Sequence, residues 1–371
     1  MSQDVSAAIS VPEEALKPHI ADNDVIVRLL NEKYGLQGAE LTPLNGYDDL
    51  NFHVRVDLDH SNPHIDQVSP NGYFLKIVNL QDSRRPEYLN AQLALMRHIH
   101  QKGVKCQTAV LGVLGEAFTQ CTAANKKGDA VTYMVSLRSF IPGQVLAKST
   151  LSADLLYRLG QFVAEVSQAL QDFDNPFYAT FDCLWSLSNI DKVASVTYAV
   201  RDDRRRQICE DVLMVYQRDV VPSLPGFRKG YIHGDLNEQN ILINKQTEIC
   251  GLLDFQDAAK SFPLYDLAIH ICYMLMTQFS DVTLLDIPGH ILAGYQTRLE
   301  LTPDEGSALR VCVAARMVQS LVYGAYTHYM DPSNTYVLET SKCGWRALET
   351  FWVAEPGQLQ NRWDSIVAGY K

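Results

Sequence analysis

At 371 residues the chain has room for two lobes, each with its own core, and a 47% hydrophobic content excludes a disordered protein. Lys and Arg number 32 against 43 Asp and Glu, a net charge of −11. That balance argues against a nucleic-acid binder, which would show a basic stripe, and sits more easily with a cationic ligand. The eight cysteines lack zinc-ligand spacing, and several, such as Cys272, lie in apolar runs. They are expected to be buried thiols that behave as small hydrophobes in a reducing cytoplasm.

Residues 1–20 are polar and are expected to be flexible. They show no basic stretch followed by an apolar core, so no secretory leader is expected. Val25, Ile26, Leu29 and Leu30 recur at helical spacing ahead of Gly35 and predict a first helix. Residues 52–59 alternate apolar with polar, and 73–79 and 131–140 are β-rich, predicting three strands. Residues 86–103 predict a helix, with Pro86 at its start and Gly103 just past its end. Farther on, Leu155, Leu156, Leu159, Phe162, Val163 and Val166 share one helical face, with Ser152 placed to cap it. Another helix is expected across 204–220. Two short strands, 240–244 and 250–255, flank a polar turn, and helical segments run from there to the end. The apolar stretch Val311–Tyr326 is interrupted by Arg316 and Gln319 and is too short and polar to span a bilayer, so no membrane is expected as a partner.

The strongest chemical signal runs from Tyr231 to Asn240, followed by a hairpin ending in Leu253-Asp254-Phe255-Gln256-Asp257. Phosphoryl transfer needs an acceptor hydroxyl held in line and metal ions that neutralise the phosphates. Asp235 precedes Asn240 by five residues on a tight loop, and Asp254 follows Asn240 by fourteen. In this spacing Asp235 can face a hydroxyl while Asn240 and Asp254 turn to a metal. Alone, each would be an ordinary turn residue; together, between apolar strands, they point to chemistry. Lys76, mid-strand in Tyr73–Val78, is placed to meet nucleotide phosphates, although a lysine can also lie along a sheet with its head in water. Gly46–Val54 is a glycine-led turn opening a strand, and Asn51 and Phe52 are candidates to offer backbone N–H groups to phosphates. His53 is expected only to pack or hydrogen-bond locally. Arg138-Ser139-Phe140 leads into a hinge near 138–143, where backbone groups at Arg138 and Phe140 would meet the purine. Asp266 is expected to brace the catalytic loop.

These segments resemble the aminoglycoside phosphotransferase family over about residues 46–350. Family likeness implies an α+β, protein-kinase-like two-lobed fold: a nucleotide-binding lobe over 21–140 and a catalytic and substrate-binding lobe over 141–371. It implies Asp235 as catalytic carboxylate, Asn240 and Asp254 as ligands of Mg²⁺, and Asn51, Phe52, Lys76, Arg138 and Phe140 as nucleotide-binding residues. The particular likeness of the C-terminal segments Gly289–Tyr295, Arg316–Pro332 and Lys342–Glu349 implies a cytoplasmic enzyme that uses GTP, with ATP possible, to phosphorylate the side-chain hydroxyl of 5-hydroxy-L-lysine. Choline, ethanolamine, homoserine or an aminoglycoside is the alternative acceptor, and a non-catalytic nucleotide-binding protein the alternative class. No obligate protein partner and no nucleic acid are expected. One departure from the family pattern concerns Lys76: Asn90 and Gln92 stand where a carboxylate partner is expected, and Glu87 is the nearest one. Asp257 and Arg316 are candidates by type for the acceptor's ammonium and carboxylate.

Overall fold

The computed structural model describes residues 17–20, 22–46, 48–124, 129–333 and 341–370. The expectation for residues 1–16 therefore lies outside the described residues. The chain divides into two compact units, one from the described part of Val11–Gln101 with Lys105–Pro142, the other from Gly143–Lys371 with Lys102–Val104.

The first unit is a sheet with helices. Helix α1 (Asn23–Tyr34) is capped by Asp22, whose side chain accepts the N–H of Asp24, and stops at Gly35 in the left-handed region. Strands β1 (Glu40–Leu44), β2 (Leu50–Arg55), β3 (Tyr73–Ile77), β4 (Ala109–Val110), β5 (Thr119–Ala124) and β6 (Ala130–Ser139) form one antiparallel sheet. Its order is β1-β2-β3-β6-β4, with β5 also paired to β6. After β3 come the single turn α2 (Leu80–Ser83) and the longer α3 (Pro86–Gln101). Ile26, Leu30 and Tyr34 of α1 pack with Phe52, Val54, Leu75, Ile77, Val135 and Leu137 in the core of this unit. Removing these side chains from water is the main favourable term in its folding.

The second unit is mainly helical. Ser152 caps α4 (Ala153–Ala169) by accepting the Leu155 N–H at 3.2 Å, as its position predicts. Helix α5 (Asp203–Val215) gives way to a wider turn at Tyr216–Val220, shortening the expected 204–220 helix. Three short antiparallel pairings follow. Strands β9 (Ile241–Ile243) and β10 (Ile249–Leu252) form the expected hairpin, β7 (Gln144–Val145) adds to β9, and β8 (Gly230–Ile232) pairs with β11 (Ala259–Ser261). Helices α6 (Pro263–Met276), α7 (Ile287–Tyr295), α8 (Pro303–Met330), α9 (Ser341–Val353) and α10 (Pro356–Gly369) complete it. Residues on every side of α6 are buried, so that helix is the centre of the unit. None of the eight cysteines forms a disulfide. Among the described residues no helix is long and apolar enough to cross a membrane.

Candidate active site

The residues singled out by the sequence fall into two groups, one in each unit. In the helical unit the loop between β8 and β9 carries the main motif. Asp266, near the start of α6, accepts the N–H groups of His233 and Gly234, both at 2.8 Å. Burial pushes the Asp266 carboxyl up to about 7 against the lowering effect of those two bonds. The bracing role expected for Asp266 is thus visible in its contacts. Gly234 has φ of 83°, and a Cβ there would stand 2.2 Å from the Asp257 carbonyl oxygen. Only glycine permits both the turn and this approach. His233 is fully buried and held neutral, its pKa lowered to about 4 by desolvation. Its Nδ1 accepts the Asp235 N–H at 3.3 Å, which leaves Nε2–H to donate to the Leu253 carbonyl at 3.0 Å.

Asp235 has both carboxylate oxygens engaged. Oδ2 accepts from Asn237 Nδ2 and Asn240 Nδ2, each at 2.8 Å, and Oδ1 accepts from Arg316 Nη2 at 3.2 Å. The Asp235 carboxyl is raised to about 6, chiefly by burial, with Arg316 opposing and Asp254 adding to the rise. Arg316 lies on α8 with its side chain 1% exposed. Its guanidinium sits over the rings of Trp185 and Tyr273, and Nη1 donates to the Trp185 carbonyl at 2.6 Å and to Gln319 Oε1 at 3.0 Å. Arg316, a candidate by type for the acceptor's carboxylate, is buried and makes its contacts with Asp235 and the protein around it. Asp257 accepts the Cys183 S–H at 3.1 Å, and burial, then the nearby Asp235 charge, push its carboxyl up to about 7.

Asn240 and Asp254 are brought side by side because the Leu253 N–H donates to the Asn240 carbonyl at 2.8 Å. Asn240 spends its amide N–H₂ on the Asp235 carbonyl and carboxylate, so its side-chain oxygen is turned away from Asp235. Asp254 takes φ of 56°, a left-handed conformation that Asp tolerates better than most residues. One carboxylate and one amide oxygen suit Mg²⁺, which keeps waters and substrate phosphates in its shell. Among the described residues no cluster of three or more His, Cys, Asp or Glu forms a closed metal cage.

In the sheet unit, Lys76 is 7% exposed and its Nζ lies 2.6 Å from Asp49 Oδ2. Glu87, the partner suggested by sequence proximity, is exposed. Asn51 pairs in register with Lys76 across β2 and β3, and Phe52 pairs with Leu75. The Phe52 ring belongs to the core, and both residues are also in register with β1, so the part of the turn outside the ladders comes before them. Arg138 is 3% exposed inside β6, between β3 and β4. Phe140 stacks on His53 with centroids 3.8 Å apart, and His53 Nε2 meets the Asn71 carbonyl at 2.7 Å, the local packing expected of it.

Sequence reading missed Asn237, Cys183, Asp49 and the actual use of Arg316. An Asp-x-Asn turn signals the first, and an arginine inside the apolar run Val311–Tyr326 signals a buried ion pair. Cys183 and Asp49 carry no such mark.

The phosphotransferase enzyme family matches residues 41–302, and the chain belongs to that family. It is a small-molecule phosphotransferase acting on a hydroxyl acceptor, a chemistry that uses a nucleotide and a divalent metal. The hydroxylysine kinase of Xenopus laevis is 32% identical over 374 residues, covering 95% of this chain and 96% of that protein. That of Danio rerio is 31% identical, covering 94% and 96%. An amicoumacin kinase solved with AMP-PNP and Ca²⁺ superposes with a TM-score of 0.63 at 15% identity, covering 89% of this chain and 93% of that one, which shows the shared fold. The family resemblance and the α+β kinase-like fold read from the motifs are both borne out.

Proposed function

We propose that this chain transfers the γ-phosphoryl group of GTP to the side-chain hydroxyl of 5-hydroxy-L-lysine, with Mg²⁺. The observation that carries the reading is the Asp235 carboxylate, held by Asn237, Asn240 and Arg316 on a loop braced by Asp266. Near-full-length similarity to hydroxylysine kinases supports the acceptor.

In this reading Oδ1 of Asp235 accepts the hydroxyl proton as the hydroxyl oxygen bonds to the γ-phosphorus. The bond from phosphorus to the bridging β-oxygen breaks, and GDP leaves with that electron pair. Arg316 keeps the carboxylate fixed in direction, so no reorientation is needed in the transition state. Asn240 and Asp254 would hold Mg²⁺, which neutralises charge on the phosphates. Lys76 contributes a positive charge to the α- and β-phosphates. Asn51 and Phe52 form the base of the turn over them, and backbone groups at Arg138 and Phe140 meet the purine.

Asp257 fits the acceptor's ammonium. In 5-hydroxylysine the ammonium and the hydroxyl are on adjacent carbons. Asp257 packs its main chain against Gly234, next to Asp235, and the two carboxylates sense each other's charge. Burial raises the pKa of both Asp235 and Asp257, and a metal and a cationic acceptor bound beside them would favour their ionised forms.

The test is a nucleotide-turnover assay offering hydroxylysine, lysine, ethanolamine, choline, homoserine and an aminoglycoside, each with GTP and with ATP. The proposal expects hydroxylysine with GTP to turn over fastest and lysine, which has no hydroxyl, not at all. Faster turnover of choline or the aminoglycoside would overturn the acceptor and leave a kinase.

A further inference from the structure

Lys76 is buried, and a buried ammonium needs a counter-charge close by. Helix α3 supplies none: Glu87 and Asn90 are exposed, and Gln92, 2% exposed, is an amide whose Nε2 meets no partner among the described residues. The charge comes instead from the turn ahead of β2. Because Asn51 lies opposite Lys76, Asp49 stands two residues away on the same side, the diagonal position from which a long lysine side chain is reachable. Asp49 is 3% exposed, and its Oδ2 is the oxygen 2.6 Å from the Lys76 ammonium.

The other oxygen of Asp49 is equally committed. Oδ1 accepts the Asn79 main-chain N–H at 2.7 Å and its side-chain Nδ2–H at 3.2 Å. Asn79 in turn caps α2, its Oδ1 accepting the Asp82 N–H at 2.9 Å. A carboxylate merely standing in for a phosphate would be exposed and loosely held. This one is buried and ties the β1–β2 turn to the chain leaving β3.

We infer that Asp49 is a positioning residue that fixes the Lys76 ammonium for the nucleotide phosphates. The inference deepens the role proposed above for Lys76 and rests on it. Removing the Asp49 charge frees the lysine head to reorient and also loosens the turn, so nucleotide affinity falls. Were Asp49 a competitor for Lys76, its removal would raise affinity.

Calorimetric titration of Mg·GTP and Mg·ATP into the full-length protein separates these outcomes without requiring an acceptor. Asp49→Asn is expected to weaken nucleotide binding by on the order of tenfold to a hundredfold, the range for hydrogen bonds to charged groups. Lys76→Met should weaken it similarly, and the double variant should lose clearly less than the product of the two single losses, because Asp49 acts mainly through Lys76. Asp49→Glu keeps the charge, so it should fold even where Asn does not; it displaces the ammonium by a methylene and should bind nucleotide more weakly than wild type but more tightly than Asn. Unchanged or tighter binding in Asp49→Asn, wild-type affinity in Asp49→Glu, or losses that simply multiply in the double variant would each overturn the inference. A wild-type protein that binds neither nucleotide would overturn the kinase reading itself, a distinct result.

Discussion

Asp235 is held from three directions, and substitutions around it should separate geometry from charge. Asp235→Asn preserves shape and removes the proton acceptor, so kcat should fall by about 10²–10⁴ while calorimetric nucleotide affinity stays near wild type. Near-normal turnover in that variant would contradict the role. Asp257 offers a second test through pH. Its folded pKa of about 7 lies above the unfolded value of roughly 4. A carboxyl raised on folding contributes stability that is fully present below the unfolded pKa and lost as pH rises through the folded one. Asp257→Asn removes that loss while keeping an oxygen to accept the Cys183 S–H. The metal-free, nucleotide-free variant should therefore gain thermal stability over wild type at pH 8 and gain less, or nothing, at pH 5. Equal shifts at both values would mean that Asp257 is not held protonated in the fold. At this scale the loop residues were legible because Asp235, Asn240 and Asp254 are read from spacing along one stretch. Asp49 was not, since its partnership with Lys76 depends on the register of β2 against β3.

Elements with strong end signals were the most legible. Helix α1 is capped at Gly35, α3 starts at Pro86, and α4 is capped by Ser152, each where the sequence places a boundary. Strands β7, β8 and β11 have two or three residues, fewer than one full alternation, and leave no periodic trace. Beyond Val215 the expected helix widens into a different turn, where the buried Tyr216 hydroxyl meets that of Tyr265 at 2.6 Å. That partner is far away in sequence, so local pattern could not reveal the change. Helices α4 and α7 cross at glycines: a Cβ on Gly160 would stand 1.9 Å from the Ile291 carbonyl oxygen, and one on Gly294 would stand 1.8 Å from that of Tyr157. Backbone cannot yield as a side chain can, so Gly294→Ala should push the helices apart and cost about 1–3 kcal/mol. Chemical denaturation measures this directly, and an unchanged midpoint would contradict the close crossing.

Across the whole molecule, the geometry of the Asp235 loop was easier to foresee than what surrounds it. Cys183, Asp257 and Arg316 come from three separated stretches, and only the fold gathers them around Asp235. The metal role is testable without an acceptor. Asp254→Ala removes a charged ligand for a hard cation and should abolish the Mg²⁺ dependence of nucleotide binding, whereas Asn240→Ala should raise the Mg²⁺ concentration required. Mg²⁺-dependent affinity at the wild-type level in Asp254→Ala would place the metal elsewhere. The most direct test of the central claim is the identity of the product. Incubation with GTP, Mg²⁺ and 5-hydroxy-L-lysine, followed by mass spectrometry and phosphorus NMR, should show one phosphomonoester on the C5 hydroxyl, and Asp235→Asn should form it far more slowly. Hydroxylysine recovered unmodified while wild type consumes GTP, or phosphate found on an amine, would contradict the account.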